Sequence, residues 1–173
     1  PTNVCWGMSN RSVLVRVPLG WTSGEDMCHK ANEKEPLTER DYSGKQTVEM
    51  RSPDASADIY QLLAGLCVAC RHGFEMANAE AEAERTFADG DIHDPKNAER
   101  YATLAQLPDS CAASADCLER QRKVYEEYDV FSPAMIDGII KQLRAFNDRT
   151  LRQEIEGKEM LMEKLVRQYY HCG

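Results

Sequence analysis

Val13-Leu14-Val15-Arg16-Val17 and Thr47-Val48-Glu49-Met50-Arg51 decide how this chain is read. Both runs are short, rich in β-branched residues and alternating, so they predict strands over about residues 12–18 and 46–52. Strand side chains point to opposite faces with a period of two. Val13, Val15 and Val17 therefore share one face and Leu14 and Arg16 the other, while Thr47, Glu49 and Arg51 lie together opposite Val48 and Met50. The pattern predicts an apolar face packed on a core and a charged face turned into a cleft. Arg11 precedes the first run, where alternation gives it no direction.

Taken alone, Glu49 and Arg51 read as an ion pair on a solvated sheet face, worth ~0–1 kcal/mol. The order of the neighbouring residues carries more. Asn10-Arg11-Ser12, Arg16-Val17-Pro18, Glu49-x-Arg51 and Pro53-Asp54 follow one another, and then Ala55-Ser56-Ala57-Asp58-Ile59-Tyr60 leads into a helix rich in Leu, Ala and Gly. This ordered set resembles signature stretches of the glutamine synthetase catalytic domain. Asp58-Ile59 stands where that family commonly has Asn-Pro, a change at the start of the helix. Leu107-Pro108-Asp109-Ser110 and the charged helix after it resemble the family's C-terminal portion. The likeness covers roughly residues 7–170 and is strongest over the first 75.

The resemblance implies a reaction in which ATP phosphorylates the side-chain carboxylate of glutamate and ammonia displaces the phosphate. Such chemistry gathers several anions, which divalent cations and the planar forks of arginines neutralise. By position, Arg11 resembles the arginine that contacts glutamate and the transferring phosphate, Arg16 the one on the ATP phosphates, and Arg51 the one on the substrate carboxylate. Glu49 resembles a ligand for Mg2+ or Mn2+, hard cations that take carboxylate oxygen. Thr47 departs from the basic residue that the family often has two positions before this glutamate. Lys45 is near enough to substitute, but the long polar linker over residues 20–44 leaves its alignment open, and it reads as a solvated loop lysine.

The resemblance also implies that further metal-binding glutamates, a metal-binding histidine and an N-terminal domain precede Pro1. Pro1-Thr2-Asn3-Val4-Cys5-Trp6 has neither an initiator Met nor the regions of a signal peptide, and it reads as mid-sequence. Residues 1–173 are thus read as the C-terminal fragment of a catalytic domain, inactive alone and homo-oligomeric in the full-length protein. Two other readings stand beside this one: a related ligase that joins glutamate to an amine other than ammonia, and a non-catalytic helical interaction or regulatory module.

With 173 residues the chain has the length of one domain. A net charge of -8 and a pI near 5.1 argue against a nucleic-acid partner. No apolar run approaches the ~20 residues that cross a bilayer. Seven cysteines, an odd number without a compact framework, suit reduced thiols in the cytoplasm. In that compartment the Asn10-Arg11-Ser12 sequon has no meaning. Cys67 and Cys70 sit in an apolar helix and read as core, and Cys28-His29 with His171-Cys172 lack the ligand spacing of a structural zinc site.

The predicted fold is α+β and helix-rich, with two or three short antiparallel strands covered by about five or six helices and helical sequence from about residue 56 to the end. Ile59, Leu62, Leu63, Leu66 and Cys70 form a stripe expected to pack against the strands. That helix is expected to run on through residues 77–85, where Glu80, Glu82 and Glu84 make a solvated end. Asp94-Pro95 reads as a helix start, with Tyr101, Leu104 and Leu107 as its apolar contacts. Leu118, Tyr125 and Tyr128 mark another helix. Ser132-Pro133 opens the next, whose buried face is Ile136, Ile139, Ile140, Leu143 and Phe146. Leu161, Leu165 and Tyr169 line a last amphipathic helix with a basic opposite side, and residues 88–94 read as a flexible excursion.

Overall fold

The computed structural model describes residues 1–18, 26–38, 47–54 and 56–170. Lys45, residues 20–25 and 39–44 of the linker, Ala55, His171 and Cys172 lie outside the described residues. The fold is α+β and helix-rich, with seven α-helices and a three-stranded sheet among the described residues. The chain divides into two compact units, residues 1–52 with 81–106, and residues 53–80 with 107–173.

The first unit holds the sheet, in the order β1 (Trp6–Met8), β2 (Val15–Val17), β3 (Glu49–Met50). β2 and β3 pair antiparallel, as expected, whereas β1 runs parallel to β2, with Trp6 opposite Val15 and Gly7 opposite Arg16. The two predicted strands are shorter than their alternation. Leu14 and Val15 both donate from their backbone N–H to the Cys5 carbonyl, at 3.2 and 3.1 Å, so the chain bends before β2 and buries Val13 and Leu14 together. On β3 the expected apolar face is uncovered: Val48 is 67% exposed and Met50 also faces outward, because this two-residue strand lies at the sheet edge.

Cys5, Val13, Ala88, Tyr101 and Leu104 form the core of this unit, with Ile92 against it. The helix expected from Asp94 is replaced by a 3-10 turn over Pro95–Asn97, capped by Asp94, and then by further turns. Ala98, Ala102 and Leu104 bond back three residues, a tighter winding that nonetheless buries Tyr101 and Leu104. Residues 88–94 form an anchored segment and not an excursion. Ala88 is fully buried and donates to the Trp6 carbonyl at 2.8 Å, and the Gly90 N–H donates to the Tyr101 hydroxyl at 3.0 Å. Within the linker, Asp26 caps a short helix, α1 (Met27–Ala31), by accepting from Cys28 and His29.

The second unit is helical. α2 (Ile59–Glu75) starts at Asp58, whose carboxylate accepts from the Tyr60 and Gln61 N–H groups. It ends where Met76 turns extended, so α3 (Ala79–Thr86), most of which belongs to the first unit, is a separate helix and not its continuation. α3 bears the expected exposed acidic residues, Glu82 pairing with Arg85 at 2.6 Å. α4 (Cys111–Glu126) and α5 (Pro133–Ala145) close around Val68, Ala115, Phe131, Ile136 and Ile140. Ser132 and Pro133 start α5 as predicted, the Ser132 hydroxyl accepting from the Met135 N–H. Phe146 is exposed and lies beyond the helix it was expected to anchor. Tyr128 also lies outside its helix, exposed at φ 61, with its ring 4.1 Å from the Arg71 guanidinium. α6 (Leu151–Ile155) and α7 (Glu159–Tyr169) complete the unit, and the apolar side of α7 is exposed, Leu161 and Tyr169 included.

The stripe predicted for α2 is only partly covered, with Leu62 and Leu66 half-buried. Val68, with Ala64 beside it, is the buried side of the helix, and it meets the core of α4 and α5. Ile59, Leu63, Cys67 and Cys70 are exposed, so the two thiols are not core residues. Each residue turns a helix by about 100°, so the side that packs and the side that is apolar come apart within one residue, from Cys67 to Val68.

Candidate functional site

The register of β2 on β3 puts Arg16 directly opposite Glu49. Arg16 Nη2 lies 2.5 Å from Glu49 Oε2, and Arg51, two residues along on the same face, brings Nε to 3.4 Å from Oε1. Arg51 also ties the preceding loop to β3: Nη1 donates to the Arg11 carbonyl and, at 3.2 Å, to the Val13 carbonyl, while its backbone N–H donates to Leu14 at 3.0 Å. Arg16, Glu49 and Arg51 are thus brought together. Arg11 joins them through its backbone, and its exposed guanidinium makes no ion pair among the described residues.

The side chains of Arg16 and Glu49 are 22% and 40% exposed, and a pair so placed contributes ~0–1 kcal/mol. Three features go beyond such a pair. Two guanidiniums share one carboxylate, which leaves a local positive excess in a chain of net charge -8. Arg11 carries a third guanidinium on the adjoining loop. Among the described residues Arg16 Nε is buried with no hydrogen-bond partner, and a buried N–H left unpaired costs about 1–3 kcal/mol. The group therefore has donors to spare and a shortage of acceptors, the condition that an anionic ligand relieves.

For a hard divalent cation, Glu49 offers carboxylate oxygen of the right chemistry. Among the described residues no group of three or more His, Cys, Asp or Glu side chains is placed to hold a metal ion. Glu49 fits one position of a shared coordination shell, not a whole one. Thr47 is exposed just before β3, and Lys45 lies outside the described residues.

Three residues that build this site were not read from the sequence as part of it. Asn10 donates from Nδ2 to the Ala88 and Gly90 carbonyls, at 3.1 and 2.8 Å, and its Oδ1 accepts from the Ser12 N–H and hydroxyl. Ser12 Oγ accepts in turn from the Ile92 N–H at 3.1 Å. The Arg11 loop is thereby pinned on both sides of Arg11. The signal was the Asn-x-Ser spacing, which favours a side-chain-closed turn. Gly7 has no such signal: a Cβ there would come 2.3 Å from the Ala88 carbonyl oxygen, a close approach to a residue far along the chain. Tyr101, which helps hold that residue's segment, donates to Asp89, and Arg100 with Tyr101 keeps the Asp89 carboxyl below its ordinary pKa.

The protein-family model described as glutamine synthetase, catalytic domain, matches residues 1–162. Among curated proteins, the chain is similar to a glutamine synthetase of Streptomyces coelicolor, 29% identical over 145 residues that make up 84% of this chain and 26% of that protein. It is also similar to a glutamine synthetase of Streptomyces viridochromogenes, 27% identical over 144 residues, 83% of this chain and 26% of that one. The chain spans about a quarter of the length of these curated relatives. No solved structure matches it.

Proposed function

The chain belongs to the glutamine synthetase catalytic-domain family, and from that membership we propose that it is the C-terminal part of a ligase that joins ammonia to glutamate through γ-glutamyl phosphate. The observation that carries this reading is the β2–β3 ladder, which gathers Arg16 and Arg51 about Glu49 and, among the described residues, leaves Arg16 Nε without an acceptor. Arg16 holds the phosphates of ATP, with Nε as the donor that phosphate oxygen satisfies. Arg51 holds the carboxylate of glutamate. Arg11, on a loop pinned by Asn10 and Ser12, reaches glutamate and the phosphoryl group in transfer.

Glu49 would hold Mg2+ or Mn2+, which when bound would supply positive charge to the nucleotide phosphates. Without such an ion Glu49 pairs with Arg16 and Arg51, and those two guanidiniums together with that of Arg11 on the adjoining loop are the groups that would cradle the anions. Guanidinium forks fix orientation as well as charge, and holding acceptor and donor phosphate in line is the larger part of phosphoryl transfer. Residues 1–173 supply one wall of the active site and one carboxylate of its metal shell. The remaining metal ligands come from sequence that the longer relatives possess, and the complete enzyme is a homo-oligomer of the cytoplasm.

The test is to assay glutamine formation from glutamate, ATP and ammonia with Mn2+. This chain alone yields none, while a polypeptide that carries the whole catalytic domain turns over with ammonia faster than with any amine in a panel. Preference for a polyamine or other amine would point to a related γ-glutamyl ligase. The absence of ATP-dependent phosphate release with every amine, in a folded complete domain, would overturn the catalytic reading in favour of a helical interaction module.

A further inference from the structure

Tyr101 is buried in the core of the first unit, a place that a plain aromatic ring fills, yet its hydroxyl is engaged twice. The O–H donates to Asp89 Oδ1 at 3.0 Å, and the oxygen accepts from the Gly90 N–H at 3.0 Å. Arg100, next in sequence, grips the same carboxylate with both arms of its fork, Nη1 at 2.8 Å from Oδ1 and Nη2 at 3.0 Å from Oδ2. Asn97 Nδ2 donates to the Asp91 carbonyl at 2.9 Å. Three side chains from residues 97–101 therefore hold one short turn, residues 89–91.

The Arg11 loop rests on that same turn. Asn10 Nδ2 spans the Ala88 and Gly90 carbonyls, at 3.1 and 2.8 Å, and the Ile92 N–H donates to Ser12 Oγ at 3.1 Å. A side-chain amide has two N–H donors, so it satisfies both carbonyls only while they converge on it. Gly90 is thus held through its N–H by Tyr101 and through its carbonyl by Asn10. The Arg11 side chain is exposed and makes no ion pair among the described residues. Its guanidinium is therefore aimed by its backbone, which Asn10 and Ser12 fix on either side and Arg51 Nη1 fixes at the Arg11 carbonyl.

We propose that Tyr101 is a positioning residue for Arg11: its hydroxyl, braced by Asp89, sets the turn that seats Asn10, and so the point from which Arg11 reaches glutamate and the phosphoryl group. The inference rests on the ligase reading for what Arg11 does, and on the hydrogen bonds alone for how Arg11 is held. Packing of the core needs the ring of Tyr101, whereas the link to Arg11 needs only its oxygen. Arg16 takes no part in these bonds, so the brace acts on glutamate and on transfer, and not on the binding of ATP. A reacting group displaced by ~1 Å costs up to roughly 100-fold in rate, and one hydrogen bond lost from the brace corresponds to up to roughly 10-fold.

Tyr101→Phe tests it by two measurements. In this chain, amide hydrogen exchange at Gly90, Ile92 and Ser12 quickens roughly 10-fold, while exchange at Ile140 in the helical unit stays as it is. In the polypeptide that carries the whole catalytic domain, kcat falls roughly 10-fold and KM for glutamate rises, with KM for ATP and Mn2+ unchanged. A variant that is merely unfolded part of the time lowers kcat through the active fraction and leaves both KM values alone. Leu104→Val, which thins the same core without removing the hydroxyl, behaves in that way. Asp89→Asn keeps an acceptor for the hydroxyl and loses less than Asp89→Ala. Exchange at Ser12 and Ile92 indifferent to Tyr101→Phe, an unchanged kcat and glutamate KM, a rise in both KM values alike, or the same glutamate shift in Leu104→Val would each overturn the proposal. An inactive wild type would overturn the ligase reading and with it the task given to Arg11, whereas exchange shows separately whether the hydroxyl holds the loop.

Discussion

Replacing Arg16 by Ala separates a structural ion pair from a phosphate-binding group. The pair with Glu49 is partly exposed, and Arg51 remains 3.4 Å from the same carboxylate, so the fold loses only ~0–1 kcal/mol. In a chain of 173 residues that is a fall of about 2–4 °C in Tm at most. A charge-assisted hydrogen bond to phosphate is worth about 1.5–3 kcal/mol, so the dissociation constant for ATP with Mn2+ rises roughly 10- to 150-fold. Arg16→Lys restores the charge without the fork and recovers only part of the affinity. Glu49→Gln gives the sharper contrast: it frees both guanidiniums, so phosphate or ATP without metal binds more tightly, whereas ATP with Mn2+ binds more weakly. Equilibrium dialysis of the chain against labelled ATP, with and without Mn2+, reads all four proteins. Equal ATP affinity in wild type and a folded Arg16→Ala, or Glu49→Gln that shifts both conditions in one direction, would refute the reasoning and leave a plain cross-strand ion pair.

Gly7→Ala places a Cβ 2.3 Å from the Ala88 carbonyl oxygen, which is backbone and cannot swing away; urea denaturation should show a loss of about 1–3 kcal/mol in the unit that holds the sheet. Ile136 is 1% exposed in the core of the helical unit, and Ile136→Ala should cost about 2–5 kcal/mol by the same measurement. Asp148 accepts from the Cys111 and Ala112 N–H groups at 2.7 and 3.1 Å and so caps α4. Burial acts to raise its pKa, but those two hydrogen bonds and the Cys111 thiol outweigh it, and the folded carboxyl titrates below its ordinary value. Its stabilisation is therefore complete above the unfolded pKa of about 3.9 and is lost as pH falls through the lower folded value. Asp148→Asn should flatten the acid limb of the stability curve below about pH 4, and Asp148→Ala should cost about 0.5–2 kcal/mol at neutral pH.

The charged side of the strand pair was legible because alternation is a local property: once residues 15–17 and 49–51 are extended, Glu49 and Arg51 must share a face whatever else the chain does. The opposition of Arg16 to Glu49 was not, since register depends on pairing across a long linker. β1 was invisible for a related reason. Trp6-Gly7-Met8 has no periodicity of its own and is a strand because it pairs with β2, with Trp6 also tied to Ala88 and Phe87, about eighty residues away. Helix starts were legible at Asp58 and Ser132, because a cap is made by residues within one turn, whereas at Asp94 the same signal caps only a 3-10 turn.

Helix faces fared worst, and α2 shows why. Its sequence is apolar over about half the circumference, so periodicity identifies a helix that must be covered without saying which neighbour covers which side. Within this unit α4 offers the small residue Ala115 and takes Val68 and Ala64, and the longer stripe stays open. In the other unit, β3 is uncovered in the same way at Val48 and Met50. Both open faces fall between residues 48 and 74, in a chain that spans a quarter of its relatives' length. The predicted pattern is present in each element; what is lacking among the described residues is the surface each apolar side was to meet. An apolar stripe records that a contact exists, and only a partner specifies which.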